Sequence, residues 1–160
     1  MSAVAHMIFG YLGAGKTTFA KALEARLRGV RFSPDERMVE RHGTDPPADR
    51  FGEYLEQIYV ELNAEWPRML SSGRDVVLDF GFWTRASRDS ARHLARQAGA
   101  EPRLYWLRCA DATALRRCQA RNQKLSGSLH ISDNTFELLK ARFESLAPDE
   151  PFELVDTDLG

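Results

Sequence analysis

The sequence predicts an α/β fold, a three-layer sandwich with one parallel sheet between two layers of helices. Three observations carry this. Short apolar runs alternate along the chain with longer stretches of helical periodicity, the pattern of repeated strand–helix units. The first apolar run, Val4–Phe9, passes through a glycine-rich turn straight into an amphipathic stretch. At 160 residues, 43% of them hydrophobic, the chain has the length and apolar content of one domain with one core.

Each element has its own local cause. After the first strand, a helix is predicted over 15–27, with Phe19, Leu23 and Leu27 on one face. Gly29 ends it, and 30–33 reads as a short second strand. Ser33 and Pro34 then start a helix, because Ser caps well and Pro suits the first helical position. The stretch 42–47 (HGTDPP) is turn chemistry. From 49 to 70, the spacing of Phe51, Leu55, Ile58, Leu62, Trp66 and Met69 or Leu70 predicts a long amphipathic helix. Pro67 is expected to kink it or end it early. A buried strand follows at 76–78 and ends at Asp79; a helix over 85–98 is closed by Gly99. A fourth strand covers 103–108, helices cover 113–122 and 135–146, and a last strand covers 152–155. The count is five strands in a single domain over 1–160, without repeat or linker. The polar, glycine-bearing stretch 123–132 reads as a mobile loop.

Charge and composition exclude several classes. Lys plus Arg number 22 against 23 Asp plus Glu, a formal net charge of −1. That balance argues against a dedicated nucleic-acid or membrane-surface binder, though a local basic pocket stays open. Cys109 and Cys118 suit neither a disulfide framework nor a zinc site and read as reduced, packed residues. No apolar stretch is long enough to span a bilayer, and no signal pattern precedes the glycine-rich turn. The expectation is a soluble, cytoplasmic protein.

The residues Gly10–Thr17 (GYLGAGKT) carry the first chemistry. Gly10, Gly15, Lys16 and Thr17 match G-x-x-x-x-G-K-[ST] without mismatch, and Gly13 adds a flexible position. Glycines let backbone N–H groups turn inward around a phosphate, and the following helix aims its positive end at the same anion. Lys16 is placed to reach the β- and γ-phosphates and the Thr17 hydroxyl to ligate Mg²⁺, with Ala14 and Thr18 in the same nucleotide-binding stretch. Val76, Val77 and Leu78 end in Asp79, a carboxylate placed to hold Mg²⁺ beside Thr17.

Guanine-specific switch proteins need DxxG and NKxD motifs, and neither is present: Asp79, Phe80 and Gly81 have the wrong spacing, and 122–125 reads NQKL. The short length argues against ring motors, transporter ATPases and helicases. The combination of GxxGxGKT, SPDE, VVLDFGFWTRASRD and RCQARN resembles the bacterial "predicted kinase" group of P-loop NTPases with an AAA_33-type domain. That group is related to polynucleotide 5′-hydroxyl kinases, zeta toxins, gluconate kinase and chloramphenicol phosphotransferase. The resemblance covers nearly the whole chain and implies a sheet of order 2-3-1-4-5, ATP as phosphate donor, and a lid at about 117–132.

It also implies roles for particular residues. Asp35, just beyond the second strand, matches the general base that takes a proton from the acceptor hydroxyl, and Arg37 matches an acceptor-holding arginine. The alternative is that Asp35, like Glu36, is a first-turn acid stabilising the helix dipole. Arg121 matches the lid arginine that neutralises the transferring phosphoryl group, and Arg117, four residues earlier on the same face, is assigned to the adenine side or the phosphates; a solvated basic face is the alternative. Phe82 and Trp83 either wall the acceptor pocket or pack as core, and Arg85 or Arg88 either meets the acceptor or pairs with Asp89. The expected activity is ATP-dependent transfer of the γ-phosphate to a hydroxyl of a small molecule. A polynucleotide 5′-hydroxyl kinase, a nucleotide-binding regulatory module and a toxin-like kinase acting on a sugar nucleotide are the alternatives.

Overall fold

A computed structural model describes residues 3–10, 14–124 and 143–156, with the side chains of 111 and 121–124 outside the description. Strands β1 (Val4–Phe9), β2 (Val30–Phe32), β3 (Val76–Gly81), β4 (Glu101–Arg108) and β5 (Glu153–Asp156) form one sheet of order β2-β3-β1-β4-β5. Each neighbouring pair is parallel. Helices α1 (Lys16–Leu27), α2 (Pro34–His42), α3 (Ala48–Ser71), α4 (Arg85–Gln97) and α5 (Asp111–Lys124) fill the connections.

Period-two alternation along the strands sorts side chains to the two faces. Ala5, Met7 and Phe9 of β1, Val76 and Leu78 of β3 and Leu104 of β4 join Met38 of α2, Ile58, Leu62 and Trp66 of α3, and Ala91 and Ala95 of α4. Ile8, Val77, Tyr105 and Leu107 point the other way and meet Ala20 and Leu23 of α1. Helices therefore cover both faces, and the central strand β1 is buried along nearly its whole length.

The structure moves several boundaries. β4 begins two residues before the predicted strand, and α5 is longer than 113–122 at both ends. α3 runs through Pro67 to Ser71 without ending. Trp66 and Leu70 on either side of it are buried, so packing of the apolar face outweighs one lost backbone hydrogen bond. Leu27, expected on the packed face of α1, is exposed; Ala20 and Leu23 do the packing. Of the predicted helix over 135–146, residues 143–146 are irregular and the rest lies outside the described residues, as do residues 125–132 of the predicted loop and lid.

Candidate functional site

Parallel pairing brings the carboxyl ends of β2, β3, β1 and β4 to one edge, where ligands of open α/β sheets bind. Gly10 follows β1 directly, and its N–H donates to the Gly81 carbonyl at the end of β3 at 3.3 Å. A Cβ on Gly10 would stand 3.0 Å from the Leu107 carbonyl oxygen and 3.3 Å from the Ala14 Cβ. The loop therefore enters through a gap that only glycine fits. Gly15 caps α1 at φ +90° with no side-chain cap. The helix thus starts on a left-handed glycine, with its positive end turned to the loop. Ala14 is buried, Lys16 and Thr17 open α1 half-exposed, and Thr18 is exposed. Gly13 lies outside the described residues.

Thr17 and Asp79, 62 residues apart in sequence, meet here: the Thr17 hydroxyl donates to Asp79 Oδ2 at 2.9 Å. Asp79 is 6% exposed. A hydroxyl and a carboxylate at the mouth of a phosphate loop fit Mg²⁺, which takes one or two protein oxygens and completes its shell with phosphate and water. Among the described residues no three His, Cys, Asp or Glu side chains gather as a protein-only metal cage.

Asp35 lies exposed in the first turn of α2, behind Ser33, whose hydroxyl accepts the Glu36 N–H at 3.2 Å. Tyr59 of α3 relates Asp35 to Asp79. Burial pushes its phenol well above the usual range, and the negative charges of Asp35 and Asp79 push it further the same way. The phenol also reaches the Phe80 carbonyl at 3.4 Å, and its ring stands edge-on to Phe80 at 5.4 Å. Sequence periodicity gave no sign of Tyr59, because it occupies the flank of a helix stripe rather than its centre.

Arg37 goes elsewhere. Two residues on from Asp35, it lies about 200° around the helix and turns to α3, meeting Glu65 at 3.1 Å and Glu61 at 3.3 Å. Arg41 pairs with Glu61 as well. Hydrogen bonding to Glu65, then to Glu61, raises the Arg37 pKa further.

Of the residues after β3, Phe82 is buried at 3% exposure and stacks on Phe80 at 5.4 Å. Trp83, half-exposed, lays its indole over Gly81, where a Cβ would come within 2.9 Å of Nε1. Arg85 pairs with Asp89 at 3.0 Å and Asp149 at 2.9 Å. Arg88 corrects the expectation of an acceptor contact. It is 0% exposed and spends its five N–H donors on Glu150 Oε1 and Oε2 and the carbonyls of Phe82, Glu144 and Ser145. Arg117 is half-exposed on α5; Arg121 is in the same helix, its side chain outside the described residues. Cys118 is buried and Cys109 packs against it, as small apolar residues do.

Arg31, like Tyr59, is a residue that the sequence alone did not single out. From β2 its Nη1 approaches Asp79 Oδ2 at 3.4 Å, and Nη2 donates to Glu36. The available signal was a charge inside a three-residue strand of a sheet covered on both faces, which requires partners.

A search of curated proteins finds no match to this chain. Solved structures do resemble it. A candidate kinase from Chloroflexus aurantiacus J-10-fl superposes with a TM-score of 0.78 at 21% identity, covering 98% of this chain and 88% of that one. Kti12 of Chaetomium thermophilum in complex with ADP-AlF3 gives 0.69 at 19% identity, covering 96% and 89%. A gluconokinase from Sinorhizobium meliloti 1021 gives 0.62 at 16% identity, covering 95% and 81%. All three share the fold. The AAA_33 profile, described as an AAA domain, matches residues 6–146, and with that match over most of its length the chain belongs to the AAA_33 family of P-loop proteins.

Proposed function

We propose that this protein is an ATP-dependent phosphotransferase that moves the γ-phosphoryl group to a hydroxyl of a small molecule. The observation that carries it is the meeting of Thr17 and Asp79 at the phosphate loop, with Asp35 in the first turn of α2 just beyond the carboxyl end of β2. Lys16 and the loop backbone hold the donor phosphates, and Thr17 with Asp79 holds Mg²⁺. When bound, that ion neutralises charge developing on the phosphates. Asp35 accepts the proton of the acceptor hydroxyl as its oxygen bonds to the γ-phosphorus. The bond from that phosphorus to the bridging oxygen breaks, and ADP leaves with the electron pair. From the lid side, Arg121 is assigned to the γ-phosphate and Arg117 to the adenine side or the phosphates.

The engagement of Arg37 with Glu61 and Glu65 supports a small acceptor over a polyanion, since that arginine is already neutralised. Likeness to a gluconokinase supports a hydroxyl acceptor. The test is ATP consumption across amino sugars, antibiotics, nucleosides and 5′-hydroxyl oligonucleotides, with and without Mg²⁺. A rate raised at least tenfold by one small acceptor is expected. Slow hydrolysis indifferent to every acceptor would overturn the reading.

A further inference from the structure

Arg31 is the middle residue of β2, with a side chain 10% exposed. Carboxylates from three elements surround it: Glu24 of α1, Glu36 of α2 and Asp79 of β3. Its backbone N–H donates to Glu24 Oε2 at 2.8 Å, Nη2 donates to Glu36, and Nη1 lies 3.4 Å from Asp79 Oδ2. The Nε is buried without a hydrogen-bond partner, its approach to Glu24 Oε1 stopping at 3.9 Å. A buried unmade N–H bond is unfavourable, so the guanidinium is held by its bond to Glu36 and by the charges of Glu24 and Asp79. The oxygen it approaches is the same Oδ2 that accepts the Thr17 hydroxyl.

A guanidinium and a divalent cation at one carboxylate repel each other. Resting on the reading of Thr17 and Asp79 as the Mg²⁺ site, we propose that Arg31 is a positioning residue acting through Asp79. It shields that carboxylate from bare divalent cations, so that the ion enters with the nucleotide's phosphates. Glu36 and Glu24 hold the guanidinium through Nη2 and Nε, leaving the longer Nη1 approach to Asp79 as the contact that gives way when the metal–nucleotide complex arrives. Without such shielding, the carboxylate would be more open to free cation before the nucleotide arrives.

The experiment is titration of the nucleotide-free protein with MnCl₂, reading free Mn²⁺ by electron paramagnetic resonance. An opposite charge at this range shifts a carboxylate's proton affinity by about one to three powers of ten, and a divalent cation meets the same repulsion, so Arg31→Gln is expected to bind Mn²⁺ at least about 10-fold tighter than wild type. Arg31→Lys, which keeps the charge, should stay within about threefold. Equal affinity of folded Arg31→Gln and wild type overturns the shielding. Asp79→Asn in the wild-type background, taken with its thermal melting and circular dichroism matched to wild type, tests the same point. Because Arg31 already masks Asp79, this change should alter nucleotide-free Mn²⁺ affinity less than about threefold, and a tenfold loss overturns the shielding too. Binding of mant-ATP, a fluorescent ATP, is read on the same samples. Tighter Mn²⁺ binding by Arg31→Gln without any mant-ATP binding would sustain the shielding of Asp79 and refute the nucleotide reading.

Discussion

Gly81 and Phe82 stand side by side in the left-handed region, at φ +80° and +54°, where only the first suits the geometry. Phe82 is held there because its ring is buried and its carbonyl accepts from Arg88 at 2.9 Å, a local strain at the mouth of the site. Gly81→Ala would add a Cβ 2.9 Å from the Trp83 indole nitrogen in a backbone region that disfavours it. The expected loss is about 1–2 kcal/mol of stability, seen as a lower midpoint in chemical denaturation. Asp35→Asn tests the chemistry instead: kcat with the active acceptor should fall about 10²–10⁴-fold, while mant-ATP affinity stays unchanged. Turnover at the wild-type rate would remove Asp35 from proton transfer. Thr17 and Asp79 could be singled out in advance because loop, strand and helix dictate their spacing, and the structure brings the two together. Arg31 and Tyr59 could not, because each acquires meaning only from a partner on another element.

Among the elements, α4 joins its apolar packing on the sheet, through Ala91 and Ala95, to one buried polar cluster. Arg88 on α4 holds Glu150 at 2.8 Å and the carbonyls of Glu144 and Ser145, and Arg92 adds a contact to Glu150 at 2.9 Å. This fastens the stretch 143–150 to the face of the sheet just before β5. The sequence showed only a run of arginines on an amphipathic helix; the acid that neutralises them lies 62 residues from Arg88. Breaking a buried pair leaves a charge unmatched, so Glu150→Gln should cost about 3–5 kcal/mol, measured as a fall in Tm. α2 shows the opposite case, legible in advance: Ser33, Pro34 and the first-turn acids Asp35 and Glu36 are all local signals, and each sits where they direct. Arg37 belongs to α2 too, yet its direction follows from helix geometry combined with the position of α3.

For the whole molecule, acid should act in two stages. His6, at the centre of β1, bonds the Tyr105 hydroxyl at 2.8 Å and Asp75 at 3.0 Å. Burial lowers its pKa below 6.5 despite the pull of Asp75. The unfolded chain therefore binds a proton that the folded one refuses, and stability falls as pH drops below 6.5. Burial alone would raise the Glu150 carboxyl, but Arg88, the Ala147 N–H and Arg92 bring it down from 4.5 to about 2. Its contribution is complete above pH 4.5 and is lost as pH falls toward 2. Denaturation midpoints across this range should show both stages, and His6→Gln should flatten the first alone; an unchanged slope would exclude His6 as its source. None of the described helices is long and apolar enough to cross a membrane. Alternation of apolar runs with helical periodicity determined the α/β class and five strands, and local spacing determined the phosphate loop, because both are written in neighbouring residues. Only tertiary structure decided that Thr17 meets Asp79, that Arg31 shares the same carboxylate, that Arg37 turns to α3 and that Arg88 is buried. Those pairings join residues far apart in sequence, and the packing of the elements selects them from many carboxylates and arginines that look alike along the chain.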